Sequence, residues 1–151
     1  VTAAQARALT LAHRRNLAAL TSVVGRQVRS ITVGADLAAI EDWWLAGAGR
    51  RAEQAVTAGH RAAVTLAVRY LRAHADASGA TVDPLPARLD VERMRGSLFV
   101  SSVGAFLDNL RVSQSQPAAA RVMTSRLVAS AHRLVLAGER DTVTGTFLAG
   151  R

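Results

Sequence analysis

The chain contains no cysteine and no lysine, only three prolines, and aromatic residues at 4 % of its 151 positions. Without cysteine there is no disulfide scaffold, no cysteine-based zinc site and no thiol nucleophile. The compartment is left open, because a cysteine-free chain folds in either redox environment. Scarce aromatics mean a core of Ala, Leu and Val, whose small side chains suit close helix packing better than a β-sandwich. Long apolar runs are missing too: the longest candidate, Ser97 to Leu107, covers eleven residues. That excludes a membrane-spanning helix on length. No basic segment followed by an apolar stretch opens the chain, so no secretory leader is read there. A start at Val1 and an end at Arg151 without a cap lead to the expectation that the sequence is part of a longer chain.

What is present is apolar and basic. Half the residues are hydrophobic, 20 % are charged, and mean hydropathy is +0.16. This suffices for a packed core and argues against wholesale disorder. The net charge is +8, and all nineteen cations are arginine. The Ala and Arg excess is also typical of GC-rich coding DNA, so part of the arginine content is compositional.

Helical periodicity dominates. Thr2 and Gln5 form a capping-box pattern. Leu9, His13, Leu17, Leu20, Val24, Val28 and Ile31 then recur every three or four residues, with Arg7, Arg14, Arg15, Arg26 and Arg29 on the other side. A second long helix is expected from an Asp36 cap to Ser78, closed by a left-handed Gly79. It carries Leu37, Ile40, Trp44, Val56, His60, Ala63, Val64, Ala67 and Leu71 inward, and Arg51, Gln54, Arg61, Thr65, Arg69 and Arg72 outward. Gly47 and Gly49 are candidates to kink or split it.

Residues 80–87 read as a proline-containing linker between helical halves. Asp90 is expected to cap a short helix over Val91–Arg95, weakened at Gly96. The stretch from Ser97 reads as helix or buried turn, and Ser102–Arg111 as a further helix. Pro117 suits the first turn of a last long helix carrying Met123, Leu127, Ala131, Leu134 and Val135. Gly138 is expected to interrupt it, with a restart at Asp141-Thr142. The pattern defines one all-α domain over residues 1–151. It is an elongated bundle of four to five helices, two of them long, with no sheet.

Reactive constellations are thin. Gly47-Ala48-Gly49-Arg50-Arg51-Ala52 matches a G-x-G-x-x-A nucleotide fingerprint in letters. It lies inside a helical pattern, where the backbone amides are already used, so a kink or close crossing is the better reading. The four histidines, His13, His60, His74 and His132, form no i, i+4 pair, and His60 and His74 are expected to be half-buried on the apolar side. Glu41 and Asp42 are adjacent, so they point to different helix faces and suit the helix dipole. No serine stands in a nucleophile-elbow context. No catalytic residue, metal ligand or cofactor is assigned, and the chain reads as a non-enzyme.

The arginine faces carry the functional candidates. Arg14, Arg15, Arg26, Arg29, Arg51, Arg61, Arg69 and Arg72 can neutralise phosphates or meet an acidic partner. The alternative is a solvated face, since no aromatics are interleaved for base stacking. The first helix also has the composition of a membrane-surface helix, although a bundle helix shares that pattern. Trp43 and Trp44 are adjacent, so one ring is expected to face a partner or second subunit.

Two stretches carry a resemblance. One is Asp36-Leu37-Ala38-Ala39-Ile40-Glu41-Asp42-Trp43-Trp44, continued by Ala58-Gly59-His60-Arg61-Ala62 and Leu66-Ala67-Val68-Arg69-Tyr70-Leu71. The other is Arg133-Leu134-Val135-Leu136-Ala137-Gly138-Glu139-Arg140-Asp141-Thr142-Val143. With Val91-Glu92-Arg93-Met94-Arg95-Gly96-Ser97-Leu98 between them, they resemble the helical N-terminal region of MuF-like minor head proteins of tailed phages infecting actinobacteria. The resemblance spans about residues 1–150 and rests on diffuse helix patterns. The Cys-x-x-Cys element that often follows in that group has no counterpart here. The resemblance implies a virion structural protein inside the phage head, present in host cytoplasm during assembly. Implied partners are the portal or major capsid protein, with packaged double-stranded DNA as a further contact and several copies per particle. The rival reading is a stand-alone arginine-rich helical nucleic-acid-binding protein.

Overall fold

The structure is a computed structural model, and it describes residues 3–28, 37–101 and 116–149. Among these residues every regular element is helical, and no strand occurs. Helix α1 spans Ala3–Val28 and α2 spans Leu37–Trp43. A single π-helical turn over Trp44–Ala48 joins α2 to α3, Gly49–Ser78. Helix α4 covers 91–101, and α5 spans Gln116–Ala149. The long helices α1, α3 and α5 hold 26, 30 and 34 residues. At 1.5 Å per residue α5 is about 50 Å long, so the bundle is elongated.

The core lies where α1, α3 and α5 meet, with α4 packed onto it. Leu20, Val56, Met94, Leu98, Leu127, Ala131 and Val135 are at most 1 % exposed. The most extensive contact is between α3 and α5, and glycine makes it possible. A Cβ on Gly59 would stand 2.8 Å from Val135, and one on Gly138 would stand 2.9 Å from the His60 ring. Gly138 therefore does not interrupt α5, and no restart occurs at Asp141. The close packing against His60 offsets the weak helix propensity of glycine.

The second long helix is not continuous. Gly47 takes φ 141°, ψ −16°, a conformation that L side chains rarely adopt, and breaks the helix at the π turn. Two residues on, a Cβ at Gly49 would lie 2.4 Å from the Trp44 indole nitrogen. The first glycine thus allows the kink and the second admits the ring. Downstream, Gly79 caps α3 with φ 68°, ψ 13°, its N–H donating to Ala75 and Asp76 carbonyls. Asp90 caps α4, its Oδ1 accepting the Arg93 N–H at 3.1 Å. That helix runs through Gly96 to residue 101, further than the expected Val91–Arg95. The Thr2 cap, the Asp36 cap, Ile31 and the Ser102–Arg111 helix lie outside the described residues.

Residues 80–90 are non-helical, as two prolines require. They are strapped along α5. The Leu85 N–H donates to Thr146 Oγ1 at 2.9 Å, and the Ala87 N–H to Thr142 Oγ1 at 3.0 Å. Alternate residues of an extended chain are about 6.5 Å apart, close to the rise of one helical turn. Pro84 and Pro86 occupy the alternate positions, where no N–H is needed.

Candidate nucleic-acid interface and the arginine faces

The arginine stripe on α3 follows from helical geometry. Placed at 100° per residue, Arg51, Arg61, Arg69 and Arg72 fall within about 80° of one another. Opposite them lie the buried Ala52, Val56, Gly59, Ala63 and Ala67. All four arginines are exposed, as are Arg14, Arg15 and Arg26 on α1. Arg29 lies outside the described residues. Arg26 and Arg51 share the rim of one shallow groove between α1 and α3, lined also by Val23, Gln54 and Ala55. Arg61 borders a different groove, beside Thr57, Val91 and Arg95. The described candidate arginines therefore lie on the outer faces of α1 and α3, share one groove through Arg26 and Arg51, and do not converge on a single point.

Both tryptophans belong to the chain's own packing. Trp44 is 9 % exposed and meets Phe99 edge-on, ring centroids 5.9 Å apart. Trp43 is half-buried against the same core, its ring centroid 6.0 Å from that of Trp44. The expectation that adjacent rings must part company is corrected by the π turn, which brings both toward one core. Leu45, at 81 % exposure, is the apolar residue this turn presents outward.

The histidines take four different roles. His13 Nε2 lies 2.6 Å from Glu139 Oε2 and ties α1 to α5. His60 is buried, and burial lowers its pKa from 6.5 while Asp141 pulls the other way. His132 is shifted down as well, by burial and by the nearby His13. Its Nε2 is buried with no hydrogen-bond partner. His74 is exposed and stacked on Tyr70, not half-buried as expected. Among the described residues no three His, Cys, Asp or Glu side chains group to hold a metal ion. No described helix is long and apolar enough to cross a membrane.

The sequence reading missed one gathering of charge. Arg88, Arg93, Arg133 and Arg140 line a single recess between α4, α5 and the strap before α4. A signal for half of it was available, since Arg133 and Arg140 are seven residues apart and share a helix face. The rest depends on the strap's path. No family model, curated protein or solved structure matches the chain. The fold and its surface define the class: an all-α bundle whose outer faces carry exposed arginine.

Proposed function

We propose that the chain is a structural component of a tailed-phage head, a minor capsid or head morphogenesis protein inside the particle against the portal or inner capsid. The supporting observation is a division of surfaces. Apolar stripes of α1, α3 and α5 are joined in one core, while the α1 and α3 arginines point outward. Such a body is suited to lie between an acidic protein wall and packaged DNA. The resemblance to MuF-like head proteins supplies the biological setting. No covalent chemistry is assigned to it. Purified virions test the reading: the chain is expected in them at a fixed low ratio to portal protein. Its absence from virions whose genome encodes it overturns the proposal.

A second reading has its own support. The α3 ridge from Arg51 to Arg72 runs about 32 Å at 1.5 Å per residue, close to one turn of duplex DNA. A stand-alone DNA-binding protein would bind free duplex with a steep salt dependence, about one logarithmic unit of slope per phosphate neutralised. Weak, shallow binding by the isolated chain favours the capsid reading.

A further inference from the structure

We infer that the recess between α4, α5 and the strap is a binding site for a compact anion of linked phosphates. Such an anion is either an inorganic polyphosphate or the phosphate tail of a nucleotide. The recess is half open to solvent and has a volume of about 650 Å³, within the ordinary range for a small-ligand site and too small for a duplex. Separate segments deliver its charge: Arg88 from the strap, Arg93 from the first turn of α4, and Arg133 and Arg140 from α5.

Two carboxylates also line the recess, and one of them is ion-paired. Asp90 Oδ1 accepts the Arg93 backbone N–H, and Asp141 Oδ1 pairs with Arg140 Nε at 3.1 Å. Among the described residues no carboxylate pairs with the Arg88, Arg93 or Arg133 side chains. Arg133 is positioned by neutral groups: its Nη2 donates to Ser130 Oγ at 3.2 Å, and Ser130 donates to Ser101 Oγ at 3.0 Å. The guanidinium is thereby oriented while its charge stays uncompensated.

A solvated helix face spreads like charges along one element. Here they meet from three segments at one concavity, where the field is focused and an anion is the natural complement. Guanidinium forks match phosphoryl oxygens bidentately, and the four together exceed what the two lining carboxylates neutralise. His60, 7 % exposed, adds a polar ring to the wall, and burial shifts it toward its neutral form. At Gly96 no atom lies within 4 Å of where a Cβ would stand, so the α4 wall is open.

The test is calorimetric titration of the full chain with tripolyphosphate and, separately, ATP at low ionic strength. One-to-one binding is expected. The double variant R93A/R133A should weaken it about tenfold or more, roughly 1.4 kcal/mol. The double variant R69A/R72A, which removes the same charge from the outer ridge, should leave it within about twofold, as expected for screened charges far from the site. If R93A/R133A loses its helical circular dichroism, Arg133→Lys serves instead. It keeps the charge but loses the fork, with about threefold weaker binding expected. Equal affinity for the two ligands identifies the phosphate chain as the recognised group, and tighter ATP binding extends the site to the nucleotide. Absence of saturable binding, equal loss in both double variants, or ATP binding without tripolyphosphate binding overturns the inference. It stands apart from the capsid reading, because recovery from virions neither requires nor removes it.

Discussion

Helices α1 and α3 are written in the same vocabulary of Ala, Leu, Val and Arg, yet they are used differently. Helix α3 buries a continuous stripe from Gly49 through Ala52, Val56, Gly59, Ala63, Ala67 and Leu71 to Ala75. Along α1, Leu20 is sealed at 1 % exposure, while Leu11 and Leu17 remain 49 % and 40 % exposed. The difference lies in size, not hydrophobicity. Small residues on α3 let its backbone approach α5, so the Val and Leu side chains between them are enclosed on all sides. Helix α1 carries four leucines to the two of α3, and the His13–Glu139 pair ties it to α5.

Two leucines break the comparison most directly. Leu71 on α3 is 2 % exposed, and Leu71→Ala should destabilise by about 2–5 kcal/mol, the range for a buried leucine that leaves a cavity. Leu11→Ala on α1 should stay within about 0.5 kcal/mol, as for other surface positions. Urea unfolding of the pair measures both. Equal losses would mean that α1 is as tightly packed as α3.

The size argument is sharpened by Gly59→Val. The added branch enters the space of Val135, and overpacking of this kind costs about 1–3 kcal/mol. A paired Val135→Ala should recover part of that loss, which a double-mutant cycle reads as coupling. Additive losses would show that the glycine is not needed for the approach.

Much of this was legible beforehand, and the illegible part has a common cause. The all-helical class, the Gly79 and Asp90 caps and the weakness at Gly47 follow from local rules. Each depends on one residue and its own backbone. The continuity of α5 through Gly138 was not legible, because glycine there is judged by His60, 78 positions earlier in the chain. The paired packing of Trp43 and Trp44 depends on a π turn that a 100° wheel does not represent. The same holds for the arginine recess, which the strap completes by carrying Arg88 back to α5.

That strap gives the next prediction. Thr142 is fully buried; its Oγ1 accepts the Ala87 N–H and donates to the Gly138 carbonyl at 2.7 Å. Thr142→Val keeps the shape and strands the Ala87 N–H, so a loss of about 1–3 kcal/mol is expected. Thr142→Ser, which keeps the hydroxyl, should lose less. Amide exchange at Ala87 gives an independent readout and should accelerate in the valine variant only. Protection at Ala87 that is unchanged by valine would mean that the strap is held by something other than this hydroxyl.

The gentlest way to separate the well-packed interfaces from the exposed ones is acid. His60 and His132 both sit where burial lowers the folded-state pKa below the ordinary 6.5. Between the lowered value and 6.5 the unfolded chain holds more protons than the folded one, so unfolding free energy rises with pH there. Stability is therefore complete above about pH 6.5 and declines as the pH falls through the folded-state values. Replacing His60 or His132 by glutamine should flatten the stability–pH curve below 6.5. The wild-type slope itself is the critical quantity: a curve flat from pH 7 to 5 would mean that water reaches both rings, and that the packing around them is looser than their burial requires.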